Sequence, residues 1–117
     1  MAVGIHTKPD DAPAEISNLV DVYDDAVIKI GIDDAIIMGD FNAGCTYVSS
    51  YKDIKLATDS RFYWAIGNYA DSTTKDTDCP YDRIVMAGSK ILNNVVLGST
   101  GVFDFATRYG LTDKQVR

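Results

Sequence analysis

Short apolar runs bounded by turn residues set the rhythm of this chain. Ala2-Val3-Gly4-Ile5 ends in His6, Ala35-Ile36-Ile37-Met38 ends in Gly39 and Asp40, and Ile84-Val85-Met86-Ala87 follows Asp82. Runs of this length read as strands, here over 2–6, 35–39 and 84–87. The unbroken middle run predicts a strand covered on both faces. Between the first two, Ile16, Leu19, Val20, Tyr23, Ala26, Val27 and Ile30 recur at spacings of three and four. That predicts an amphipathic helix of about four to five turns. The breaker-rich stretch Pro9 to Pro13 opens it, and Gly31 is placed to close it. Asp21, Asp24, Asp25 and Lys29 fall on its solvated side, as a solubility face rather than a metal site.

The second half is less regular. Residues 46–56 are mixed and leave room for a short helix. Phe62-Tyr63-Trp64-Ala65-Ile66 is strand-like by aromatic content, and its rings suit core packing better than base stacking. Residues 67–82 form a long polar loop, of a length that is functional or disordered in a compact domain. Residues 94–97 read as a further strand, joined to 84–87 through Ser89 to Asn94. Residues 112–117 have helical character. There are no repeats, linkers or low-complexity tracts.

Composition narrows the function. The 117 residues fit one domain and are 46% hydrophobic and 24% charged, ordinary values for a globular protein. Formal net charge is −6. An acidic chain is poorly suited to nonspecific DNA binding by counterion release, which needs Lys and Arg against phosphate. A nuclease stays open, because divalent cations offset both the carboxylates and the substrate charge. No window reaches the length of a membrane span, so no membrane partner is expected. No secretory leader is visible, because Lys8, Asp10 and Asp11 interrupt the first apolar run. The two cysteines, Cys45 and Cys79, are compatible with one disulfide or with two free buried thiols.

The strand edges carry the candidate chemistry. Asp40 stands where a strand leaves the core, and its carboxylate can hold a hard cation. Asn42, two residues on, can point the same way and donate to a phosphate oxygen. His6 can donate a proton near neutrality. If the three runs are neighbours in one sheet, His6, Asp40 and Asp82 meet on one rim, as metal-assisted phosphodiester hydrolysis requires. On residues alone, a solvated Asp-Asn turn and a structural histidine remain open. Arg83 and Lys75 are plausible phosphate contacts.

The motifs Ile5-His6-Thr7-Lys8-Pro9, Gly39-Asp40-Phe41-Asn42 and Cys79-Pro80-Tyr81-Asp82-Arg83-Ile84-Val85 resemble the deoxyribonuclease I family, within the endonuclease/exonuclease/phosphatase superfamily. The likeness continues through Phe103-Asp104-Phe105 to Tyr109-Gly110-Leu111 and covers nearly the whole chain in order. Gly-Asp-Phe-Asn marks the superfamily. The two cysteines and the Asp/Thr loop before Cys79 narrow it to the deoxyribonuclease I branch.

The resemblance implies an α/β (α+β) fold, a partial four-layer sandwich of the deoxyribonuclease I type over residues 1–117. One face of its sheet should then lack its partner, leaving a chain that is marginal, aggregation-prone or dependent on the missing half. It implies His6 as general acid and Asp82 as support for a second catalytic histidine. Asp40 and Asn42 become Mg²⁺ (or Mn²⁺) ligands, with Asn42 and Tyr81 on the substrate phosphate. Asp71, Thr73, Lys75 and Thr77 become a Ca²⁺ loop, through the side chain of Asp71 and backbone carbonyls of the others. The Lys75 ammonium must then point to solvent.

A Cys45–Cys79 disulfide is implied as well. It would contribute roughly 3–4 kcal/mol by closing about 35 residues, and it implies a secreted protein in an oxidising compartment. The family's metal-binding glutamates and its final Ser-Asp-His segment have no counterpart here, and His6 is the only histidine. The two-histidine mechanism cannot be assembled from these residues, so the chain is expected to be inactive alone. The segments that bind actin in some members have no counterpart either.

The parent activity implied is divalent-cation-dependent endonucleolytic hydrolysis of DNA to 5′-phosphorylated ends. Other superfamily phosphoesterases (a phosphatase, a sphingomyelinase or an abasic-site endonuclease) and a non-catalytic scaffold are the alternatives.

Overall fold

A computed structural model describes residues 1–116. The strands are β1 (Ala2–His6), β2 (Ala35–Asp40), β3 (Tyr63–Trp64) and β4 (Asp82–Ala87). The helices are α1 (Ala12–Ile30), α2 (Lys55–Thr58), α3 (Ser89–Asn93), α4 (Phe105–Tyr109) and α5 (Asp113–Val116), and a 3₁₀ turn at Pro9–Asp11 leads into α1. The fold is α+β, built on a mixed four-stranded sheet in the order β1-β2-β4-β3. β1 runs parallel to β2, while β4 is antiparallel to both β2 and β3.

The helix expected after Pro9 forms, and its spacing places the buried face correctly up to Tyr23, whereas Ile30 at its end is 56% exposed. Ile16, Leu19, Val20 and Tyr23 are buried on one face, and Asp21 and Asp25 are exposed on the other. Gly31 ends the helix in a left-handed conformation, φ 74°, with its N–H donating to the Val27 carbonyl at 2.8 Å. The buried face of α1 joins Ala35, Ile37, Phe41, Val85 and Ala87 in a single core. One face of the sheet is therefore covered by α1 and the segment around α2.

The other face is not covered to the same degree. Met38 is 43% exposed, and Ile36 and Ile84 are half-buried. Register pairs Ile36 with Met86 and Met38 with Ile84, so these four apolar side chains share that face, with Met38 exposed and Met86 buried. β2 is thus buried on one face only, where the unbroken apolar run predicted two.

Residues 94–97 are not a strand. The expected connection Ser89 to Asn94 is instead mostly α3, and Val96 and Leu97 are 70% and 86% exposed. Val95-Val96-Leu97 has β character, but strand formation needs an edge to pair with. Val95 and Val96 line one hollow together with Ile36, Ile84 and Met86, and no strand pairing forms there. The aromatic run is strand only at Tyr63–Trp64. Phe62 turns into the core against Tyr23 at 5.0 Å, and Trp64 donates its indole N–H to the Leu56 carbonyl at 3.0 Å. Arg61 joins α1 to this corner, bonded to Asp24 and Asp59 and set over the Tyr23 and Phe62 rings. Its hydrogen bonds hold the Asp59 carboxyl below the usual carboxylate range.

Candidate functional site

Strand register decides whether the candidate residues meet. His6 lies directly beside Asp40 in the β1–β2 pair, and Asp40 lies directly opposite Asp82 in the β2–β4 pair. Laterally paired residues share a face, and neighbouring strands lie about 4.8 Å apart. His6, Asp40 and Asp82 therefore form a straight row across three strands, at one end of the sheet and on its less covered face. His6 Nε2 approaches Asp40 Oδ2 to 3.4 Å. The imidazole is 75% exposed and the carboxylate 35%, so a solvent-borne substrate can reach both.

Asp40 is held from both sides. Its Oδ1 accepts the Asn42 backbone N–H at 2.9 Å, while Oδ2 faces the histidine. Asn42 adopts a left-handed φ of 46°, which Asn tolerates better than most residues. Its side chain turns inward. Asn42 is 6% exposed, and its Nδ2 donates to the Thr7 carbonyl at 2.9 Å and to Thr7 Oγ1 at 3.4 Å. The amide donor expected on phosphate is thus engaged in fastening the residue after His6 to the turn after Asp40. Thr7 has a second tie, its N–H donating to the Asp40 carbonyl at 2.9 Å.

Tyr81 sits at the same rim. Its carbonyl accepts the Phe41 N–H at 2.9 Å, and its ring lies against Tyr47 with centroids 5.6 Å apart. Burial pushes the Tyr81 phenol up, with help from Tyr47 and Asp40 nearby. Tyr47 was not anticipated as a rim residue. Its only signal was its place five residues after Asn42 in a turn-rich stretch.

Arg83 departs furthest from expectation. It is 1% exposed, so it does not contact phosphate. Its guanidinium donates to the carbonyls of Pro80, Ile66 and Ala43 and to the Tyr51 hydroxyl. Burial lowers its pKa, partly opposed by Tyr51. A period-two reading of β4 would have found this, because Arg83, Val85 and Ala87 share the core face.

The Cys45–Cys79 disulfide is formed, with Cα atoms 5.7 Å apart. It joins the turn after Asp40 to the loop before Asp82. In that loop Asp71 Oδ1 accepts from the Thr73 N–H and hydroxyl, and the Thr73 hydroxyl lies 2.6 Å from the Thr77 carbonyl. Asp71, Thr73 and Thr77 are therefore gathered in one turn, while Lys75 is exposed. Ser72 ties this loop to the rim, its Oγ accepting the Asp82 N–H at 2.9 Å.

Metal fit differs between the two places. Among the described residues no group of three or more His, Cys, Asp or Glu side chains could hold a metal ion. The rim offers Asp40 as an accessible carboxylate with Asp82 across from it, which suits Mg²⁺, an ion that keeps most of its waters. The 71–77 turn offers the carboxylates of Asp71 and Asp76 and its backbone carbonyls, the donor type Ca²⁺ accepts.

No family model matches the chain. Its sequence is 48% identical over 114 residues to deoxyribonuclease-1 of Bos taurus, covering 96% of this chain and 40% of that protein. It is 47% identical over 116 residues to deoxyribonuclease gamma of Mus musculus, covering 97% of this chain and 37% of that protein. Human deoxyribonuclease-1 is 47% identical over 114 residues. The chain corresponds to a segment of the deoxyribonuclease I family. It matches both deoxyribonuclease-1 and deoxyribonuclease gamma, and spans about 40% of the length of these curated relatives.

Proposed function

We propose that this chain is the part of a DNA-hydrolysing endonuclease that supplies one catalytic histidine and one metal-holding carboxylate. The observation that carries the reading is the row His6-Asp40-Asp82, with His6 Nε2 3.4 Å from Asp40 Oδ2. The names of the relatives supply the substrate class.

Water attacks phosphorus in line, and the bond to the leaving oxygen breaks on the opposite side. The leaving oxygen is the sugar O3′, which His6 protonates, so the phosphate stays on the 5′ end, and the proton of the attacking water passes to a base outside this chain. Asp40 orients the imidazole and accepts a cation. A bound Mg²⁺ or Mn²⁺ would supply charge neutralisation for the phosphate. It would also relieve the repulsion of two carboxylates set directly opposite each other. Asp82 awaits a second histidine that this chain does not contain. Asn42 acts through Thr7 and keeps β1 in register at the rim, with its carbonyl oxygen left for the cation shell. Tyr81 contacts the phosphate. Asp71, Thr73, Lys75 and Thr77 would hold a Ca²⁺, which would stiffen the loop before Asp82.

The formed disulfide and the folded 71–77 turn support the deoxyribonuclease branch over a phosphatase, sphingomyelinase or abasic-site endonuclease. The disulfide also supports a secreted parent in an oxidising compartment. Among the described residues no helix is long and apolar enough to cross a membrane. Exposed Met38, beside half-buried Ile36 and Ile84, offers an apolar surface on which the remainder of such a domain would pack. Actin binding is not proposed for this segment.

A chimera tests the assignment. This chain replaces the matching segment of bovine deoxyribonuclease-1, and plasmid nicking is measured in Mg²⁺ with Ca²⁺. The chimera nicks, and His6→Ala lowers the rate by at least about a hundredfold, the usual scale for a lost general acid. Asp40→Ala falls at least as far. A folded chimera without activity, or one indifferent to both substitutions, defeats the reading.

A further inference from the structure

We propose that Arg83 is a positioning residue for the rim, holding in place the two loops that present Asp40 and Asp82. The proposal rests on the rim being the site, but its test does not require catalysis.

Arg83 follows Asp82 directly, yet its side chain lies on the opposite face of β4, beneath the row. Four hydrogen bonds leave the guanidinium. Nε donates to Pro80 O at 2.8 Å, Nη1 to Ile66 O at 2.8 Å, and Nη2 to Ala43 O at 2.7 Å and Tyr51 Oη at 2.9 Å. The Tyr51 hydroxyl donates in turn to Ala43 O at 2.6 Å. Ala43 follows the left-handed Asn42, so gripping its carbonyl fixes the orientation of the peptide that closes the Asp40 turn. Pro80 precedes Tyr81, whose carbonyl receives Phe41. One buried cation therefore spans the loop leaving β2 and the loop entering β4.

Among the described residues no carboxylate pairs with the guanidinium. Its charge is met by carbonyl oxygens and by the Trp64 and Tyr51 rings, 5.4 and 5.8 Å from its central carbon. A planar fork with five donors reaches these divergent acceptors at once. The ammonium of lysine, a single point with three donors, does not. The disulfide joins the same two loops but leaves Cys45 exposed, on the outer side. It limits how far the loops separate, whereas Arg83 sets how their peptides face.

Native-state amide exchange on the disulfide-intact chimera with bovine deoxyribonuclease-1, without metal or DNA, tests this. Three amides report the rim, those of Thr7, Phe41 and Gly44, which donate to Asp40 O, Tyr81 O and Asn42 O. In Arg83→Lys these lose at least about tenfold protection, while amides at the centres of α1 and β2 keep theirs, as local rather than global opening requires. Tyr51→Phe, a milder change that keeps the guanidinium, loosens Gly44 selectively and covers the case in which Arg83→Lys does not fold. Unchanged rim protection in either folded variant, or equal loss throughout the chain, overturns the proposal. Failure of the nuclease reading shows separately, in the chimera assay.

Discussion

Gly39→Ala lowers the unfolding free energy by about 3–5 kcal/mol, the sum of a strained left-handed backbone and an overpacked contact. Gly39 sits at φ 144°, and a Cβ there would come 1.9 Å from the Ile5 carbonyl oxygen. The obstacle is backbone, so no side chain can swing aside. β1 must either move off β2 or force Gly39 into another conformation. Both carry His6 away from Asp40, so the substitution removes stability and the site together. Against a typical stability of about 5–15 kcal/mol, this shift brings a small domain close to unfolding. Urea denaturation followed by circular dichroism measures it. A loss under about 1 kcal/mol would mean that β1 does not pack on β2 in this register.

Removing the disulfide has an effect of similar size by a different route. Cys45→Ala with Cys79→Ala costs about 3–4 kcal/mol in the chain-entropy treatment, because a bridge over 34 positions no longer restrains the unfolded chain. Cys79 is buried, so its alanine adds a small cavity, whereas Cys45 is exposed. Urea midpoints of the oxidised, dithiothreitol-reduced and double-alanine proteins separate these terms. The reduced and double-alanine forms fall together, well below the oxidised form. Equal midpoints for all three would mean that the bridge does not restrain the unfolded chain. With the bridge gone, the Asp40 turn and the Asp82 loop remain joined through Arg83 and through Phe41 to Tyr81, so the row survives in whatever fraction stays folded.

Much of the framework was legible because it rests on local periodicity. β1, α1, β2 and β4 each announce themselves in a few residues, and Gly31 ends the helix where its freedom of φ is needed. Residues 94–97 misled because β propensity says nothing about the presence of an edge to pair with. The meeting of His6, Asp40 and Asp82 could be placed at strand ends but not assembled. It depends on a parallel register of β1 with β2 and an antiparallel one of β2 with β4, between segments more than thirty residues apart, which no local pattern encodes. Asn42 was found as a site residue, but the direction of its amide was not, because the partner is a backbone carbonyl at Thr7. Arg83 was misjudged because arginine beside a catalytic-type aspartate suggests phosphate. Alternation along β4 placed it in the core, where only a carbonyl-lined pocket can hold it.

The most direct measurement is a Mn²⁺ titration of the isotopically labelled chain by NMR, with Ca²⁺ present to fill the 71–77 turn. Paramagnetic broadening identifies which residues lie nearest the ion without requiring activity from a chain that lacks the second histidine. Signals of His6, Asp40 and Asp82 disappear first and together, and Asp40→Asn abolishes the effect while leaving the rest of the spectrum intact. Broadening that begins at Asp21 and Asp25 on α1, or that spares the rim while Mn²⁺ is bound elsewhere, would contradict a shared cation site at the end of this sheet.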